Sequence, residues 1–203
     1  MRNAHGGTRR SRSASCERGN VKLYHYTIGK SMSGIVESGE IRPSTAPVPE
    51  GERLAMCTTS CPEWEPCANN ALEDPKTGKV HRGDRSATAH YGGGLWRIEV
   101  RRNAVPLTWA DFVRQSGIDP RMAEALARWA AKQGSDVADW RLSFDPIPFS
   151  EWLALEQWVE GAWGQQGGVL REAPGLLYVF HFGDGHEIKT TVEVKPLDPE
   201  TEH

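Results

Sequence analysis

The sequence predicts one α+β domain, and three observations carry that prediction. A β-rich alternating segment, Val21 to Thr27, opens the folded part. Two helical stretches with clear start and stop residues occupy the first and middle parts. Strand patterns then dominate after residue 138. The 203 residues suffice for one core-forming domain with a tail. At 38% hydrophobic and 25% charged, the chain is too apolar to be a disordered one. No apolar run approaches the roughly 18 residues of a membrane span, so no membrane contact is expected. The net charge of −3 excludes a protein that coats nucleic acid with its whole surface.

Residues 1–20 read as a disordered basic tail, with Arg2, Arg9, Arg10, Arg12 and Arg18 against Glu17 alone. Such an arm can touch nucleic acid or an acidic partner. No apolar segment follows the basic start, so the expectation is a cytoplasmic protein without a secretory signal. A reducing compartment keeps Cys16, Cys57, Cys61 and Cys67 as free thiols. The C-x3-C-x5-C spacing, even with His81 and His90 downstream, lacks the paired ligands of a common zinc site, and no metal is expected.

Residues 21–203 then form the domain. After the first strand, Ile28, Met32, Ile35 and Val36 share a helical face, and Gly39 stops the helix. Ile41 to Ser44 enters a Pro-rich loop, and Leu54 to Thr59 is a second strand. Cys61 to Pro66 opens a short helix or turn. Residues 73–88 are polar and rich in turn formers, which predicts a long loop. Gly92-Gly93-Gly94 reads as a flexible lead into Leu95–Val100, a strictly alternating strand.

Thr108 and Asp111 form a capping-box pattern for a helix ended by Gly117. Asp119 caps the next helix, Pro120 starts it and Gly134 closes it. Met122, Leu126 and Trp129 make the stripe expected to face the core. Trp140–Phe144 and Trp152–Trp158 read as a strand pair around Asp145–Pro148. A loop over 164–175 leads to a C-terminal hairpin over 175–197, turning at Asp184-Gly185. His181 and His186 flank that turn.

Three groups of residues can carry chemistry. His25 sits between Tyr24 and Tyr26, so the tyrosines share one strand face and the histidine takes the other. Its ring can bond a sugar hydroxyl, with Thr27 beside it, or it can simply pack against the core. Thr58, Thr59 and Ser60 place hydroxyls at a strand end, with Trp64 and Glu65 after them. Trp64 offers a stacking face or a buried anchor. Asp139 opens a strand that ends in Pro146-Ile147-Pro148. A carboxylate there can stabilise a cation-like sugar, or it can be a turn residue or pair with Arg141.

The run Tyr24-His25-Tyr26-Thr27, then Glu37-Ser38-Gly39-Glu40-Ile41-Arg42-Pro43-Ser44, a hydroxyl-bearing strand and a late acid before Pro-Ile-Pro resemble the ADP-ribosyltransferase superfamily. The likeness is to its diphtheria-toxin-like, His-Tyr-acid branch, and covers roughly residues 21–160. It implies split β-sheets with flanking helices, to which the hairpin is an addition. It implies NAD as substrate, held by His25 at the adenosine ribose, with Thr27, Tyr26, Thr59 and Ser60 alongside. Trp64 or Tyr91 would clamp the nicotinamide. The carboxylate would be Asp139, then Glu156, then Glu193. An Asp is one methylene shorter than the family's usual Glu, and the middle tyrosine has no clear counterpart here.

The expected function is therefore NAD-dependent mono-ADP-ribosylation of a protein or nucleic acid, in a toxin or phage-defence setting by analogy of size and tail. A second reading is a DNA N-glycosylase that flips a base into an aromatic pocket, its strand held by Arg82, Arg85, Arg97, Arg101, Arg102 and the tail arginines. A third is a binding module that kept the fold and lost the activity.

Overall fold

The fold is organised around β1 (Leu23–Ile28), the middle strand of a seven-stranded antiparallel sheet. The computed structural model describes residues 21–69, 71–73, 77–78, 80–159, 161–165, 176–181 and 187–192. The basic tail with Arg2, Arg9, Arg10 and Arg12 lies outside them, as do Glu193 and the Asp184-Gly185 turn. Strand β6 (Leu95–Val100) flanks β1 on one side, followed by β10 (Trp152–Val159) and β11 (Ala162–Gln165). On the other side come β3 (Met56–Thr59), β8 (Trp140–Ser143) and β7 (Leu107–Thr108).

The two sides are joined very unequally. β1 and β6 pair along their whole length, from Leu23 opposite Val100 to Ile28 opposite Leu95. β1 and β3 share a single registered pair, Tyr24 with Thr59. Beyond it they part, and the sheet opens into two halves.

Helix α1 (Gly29–Ser38) follows β1 directly and covers one face of the sheet. Met32 and Val36 bury against Leu23, Trp96, Ile98, Trp152 and Leu155. Gly39, at φ 70°, caps its end with bonds to the Ile35 and Val36 carbonyls, as expected for a helix-stopping glycine. A two-residue clip, β2 (Glu40–Ile41) against β9 (Ile147–Pro148), places Ile41 opposite Ile147 under the same core. A second core lies on the other face, beneath β3 and β8. There Phe112, Ala130, Trp140 and Leu142 meet α3 (Trp109–Gln115) and α4 (Pro120–Gln133).

Both predicted caps are present: Thr108 and Asp111 bond reciprocally at α3, and Asp119 accepts from the Arg121 amide at α4. Backbone pairing over β12 (Leu176–His181) and β13 (Glu187–Val192) gives the expected C-terminal hairpin.

Four expectations are corrected. Residues 73–88 are not one loop. They contain part of a hairpin, β4 (Ala71–Glu73) with β5 (Val80–Arg82), and the start of α2 (Arg85–Gly92). Asp84 caps α2 through the Ala87 amide, but the helix buries only Thr88 and Gly92, so no apolar stripe announces it. Met122 and Leu126 are not core: they are 56% and 38% exposed. Helix α4 packs through Ala123 and Ala130, whose small side chains allow close approach and give little periodic signal.

Strands β8 and β10 do not pair; they belong to opposite halves of the sheet. The glycine run is no flexible lead either. Gly93 caps α2 at φ 77°, and a Cβ on Gly29 would fall 2.0 Å from the Gly93 carbonyl oxygen. The starts and ends of α1 and α2 therefore touch backbone to backbone, with the Gly29 amide donating to Gly94 at 3.1 Å.

Candidate functional site

Where β1 and β3 part, a cavity of about 760 Å³ opens between the two sheet halves and α1. His25 and Thr27 enter it from β1, and Ser31 and Ile35 from α1. Met56 to Thr59 line its opposite wall, with Glu65, Trp129 and Trp140 closing one end and Arg42 and Ser44 another. The cavity follows from the missing β1–β3 ladder. Two strands that continued to pair would leave no room for it.

His25 spans the gap: its Nδ1 lies 3.0 Å from the carbonyl oxygen of Cys57 on β3. A carbonyl only accepts, so Nδ1 carries the hydrogen. Burial holds the ring's pKa below its ordinary 6.5, against a smaller opposing effect of the Cys57 bond. The neutral ring then has Nε2 as an acceptor. The half-buried ring lines the cavity.

Glu65 is the carboxylate within the cavity wall that the sequence reading did not single out for catalysis. It is 7% exposed and held by three donors. The Trp140 indole donates at 3.1 Å, the Cys67 amide at 3.2 Å, and the Ser135 hydroxyl completes the set. An acid directly before Pro66, at the start of the 3-10 turn Pro66–Ala68, is a cap signal legible in the sequence. Ser135 and Trp140 lie 70 and 75 residues away, so their convergence was not. Trp129, expected in the core stripe, packs half-buried against the second core and lines the cavity as well.

The other expected residues divide into three places. Thr59 is buried in the wall, with its hydroxyl accepting from the Cys61 amide at 3.2 Å. Ser60 and Asp139 do not line the cavity, though each is next in the chain to a residue that does. The Ser60 hydroxyl donates to Asp139 Oδ1 at 3.1 Å, and its amide to the Asp139 carbonyl at 3.0 Å. Asp139 is exposed and precedes β8, with β3 between it and β1.

Tyr26 is among the residues that border the cavity, but its ring, with Trp64 and Glu156, belongs to the face of the sheet opposite His25. Register decides this, because Tyr26 faces Arg97 and Glu156 while His25 faces Ile98. The Tyr26 hydroxyl donates to the Cys61 carbonyl at 2.7 Å, and burial raises its pKa. Trp64 packs edge-on against Tyr26 at 5.0 Å and donates to Asn69 at 3.0 Å. Glu156 clamps Arg97 with bonds of 2.6 and 2.9 Å. Tyr91 sits on α2 beside His90, outside the cavity lining.

The expected arginine face does not gather round the cavity. Arg85 and Arg97 join the Tyr26 side, Arg101 is exposed and 3.8 Å from Glu151, and Arg102 is exposed. The side chain of Arg82 is outside the described residues. Arg42 is the arginine at the cavity, paired there with Glu40. Cys57, Cys61 and Cys67 are half-buried, and burial raises the pKa of Cys57. Among the described residues no three His, Cys, Asp or Glu side chains gather as metal ligands, and no helix is long and apolar enough to cross a membrane. Comparison of the chain with protein-family models, curated proteins and solved structures returned no match.

Proposed function

We propose that the cavity binds NAD and that the protein breaks the bond between nicotinamide and ribose, transferring ADP-ribose to an acceptor. The observation that carries the reading is the neutral His25 standing in the gap between β1 and β3, with Nδ1 committed to Cys57 and Nε2 an acceptor. That is the hydrogen-bonding capacity a ribose hydroxyl needs. The cavity, of about 760 Å³, is of the size and partly apolar character of small-ligand sites. In the reaction the C–N bond breaks and its electron pair leaves with nicotinamide. The ribose carbon becomes cation-like until an acceptor oxygen or nitrogen attacks it.

Two acids can serve that cation. Asp139, next in the chain to the cavity-lining Trp140, is held by Ser60 and is open to solvent, which suits contact with an acceptor. Glu65 is inside, with its oxygens already bonded to three protein donors, which suits holding the cavity wall and its negative field. Glu156 is committed to Arg97 on the far face and has no part in the proposed step. The scarcity of arginines at the cavity weighs against the base-excising reading, which needs a phosphate backbone held there.

The test is nicotinamide release from NAD by the purified protein. His25→Ala should lower it by roughly a hundredfold, the cost of losing substrate orientation. Asp139→Asn and Glu65→Gln then assign the acid. Turnover that survives His25→Ala unchanged, or its absence in the parent protein with NAD at millimolar concentration, refutes the reading.

A further inference from the structure

The face of β1 opposite His25 carries a second constellation with no part in the proposed chemistry. Tyr26 and three half-buried tryptophans, Trp64, Trp158 and Trp163, pack ring to ring at 5.0 to 5.6 Å. Two guanidinium groups lie among them. Arg97 is fully employed: Glu156 grips it with two bonds and the Pro62 carbonyl accepts a third. Arg85, at the start of α2, differs. Its guanidinium carbon lies 3.2 Å from the centre of the Trp158 ring, with Trp163 at 5.3 Å and Trp64 at 5.4 Å. Its Nε and Nη2 are covered and, among the described residues, have no hydrogen-bond acceptor.

A covered N–H without an acceptor is costly, and stacking on an indole offsets part of that cost. A purely structural arginine at this place would be paired, as Arg97 is. The nearby negative charge comes from Glu63, which is felt electrostatically but accepts no bond, while Arg97 opposes. A cationic ligand is disfavoured by two guanidiniums within one aromatic cluster. An anion that also presents a flat π-face fits both halves of it.

We infer that this face binds single-stranded nucleic acid, one base stacking on the half-buried rings of Trp158 and Trp163 while its phosphate draws the Arg85 guanidinium off the Trp158 ring and takes its N–H groups. The local charges largely cancel, because Lys22 pairs with Glu99 and Arg97 with Glu156. Among the described residues of this face Arg85 is thus the cation left for a phosphate, and stacking supplies most of the affinity. The salt dependence is therefore shallow, with a log–log slope near −0.7, the value for about one phosphate on a single strand. The inference does not depend on what the cavity binds.

The test uses the full chain with fluorescently labelled oligo-dT and oligo-U, read by anisotropy and tryptophan quenching. Both strands should bind with that slope, and duplex DNA more weakly. Arg85→Gln and Trp158→Ala should each weaken binding about tenfold or more, as loss of a stacked base does. Nicotinamide release by Arg85→Gln should match the parent protein. Should Trp158→Ala fail to fold, Arg85→Lys replaces it: charge is kept, the flat stack is lost, and binding falls while the slope is retained. Absence of binding at micromolar protein, a preference for duplex, or affinity unchanged in a folded Arg85→Gln protein overturns the inference.

Discussion

The two faces of β1 are built from neighbouring residues and solve burial in opposite ways. On the Tyr24–Tyr26 face, polar groups other than Arg85 are paired within the protein: Tyr26 bonds Cys61, Glu156 clamps Arg97, and Glu99 holds the exposed Lys22 at 2.8 Å. On the His25–Thr27 face, α1 seals one end with apolar side chains, and the other end is left open as a cavity. There His25 makes one bond to the protein and retains one acceptor. A polar group that is fully paired stabilises its surroundings; one that is half-paired is available to a ligand. The difference teaches that residue type alone does not separate structural from functional polar groups. Glu156 and Glu65 are both glutamates near aromatic rings, and only the second faces the cavity.

The comparison breaks most visibly at the Arg97–Glu156 pair, whose side chains are only 11% and 19% exposed. Glu156→Gln should cost about 3 kcal/mol of stability, since it strands a mostly buried guanidinium. Urea denaturation would measure it, and nicotinamide release per folded molecule should be unchanged. If release falls with it, the two faces are not separable.

Next in size is Gly29→Ala at the joint of α1 and α2. The added methyl would meet backbone, so the helix ends must move apart, at a cost of about 2 kcal/mol. A drop in thermal midpoint of less than a degree would show that the joint yields freely.

A smaller effect sharpens the picture of His25. Its folded pKa is lowered from 6.5, so the unfolded chain binds the proton more readily. Stability should therefore be unaffected by this group above about pH 7 and fall as pH drops through 6.5 towards the folded value. His25→Gln removes that part of the slope. Identical pH profiles of unfolding free energy in the two proteins would contradict a buried neutral ring.

The smallest change in stability is expected for Asp139→Asn. The residue is exposed, and an amide oxygen can still accept from Ser60, so the change should stay within about 0.5 kcal/mol. Lost activity with unaltered stability would mark the acid as functional. A larger destabilisation would make it a structural turn residue.

Local chemistry was written in single residues. Asp119, Pro120 and Gly134 bounded α4, Thr108 and Asp111 built a capping box, and the Tyr-His-Tyr alternation placed His25 apart from its neighbours, because these effects act within a few residues. The expected residues came together in part: His25, Tyr26, Thr27 and Thr59 border one cavity, while Ser60 and Asp139 bond each other outside its lining. Helix α2 was hidden because its packing needs almost no apolar side chain. Trp64 and Glu156 fell on the wrong face because strand parity and register across three strands decide which side chains meet.

Amino-acid order alone thus settled the α+β class and the ends of α1 and α4. Only the tertiary structure decided where β1 and β3 part, that Glu65 is buried in the cavity wall, and that Arg85 is covered by indole rings. Those outcomes depend on contacts between segments 30 to 80 residues apart, such as His25 with Cys57 and Ser60 with Asp139, and no local preference encodes them.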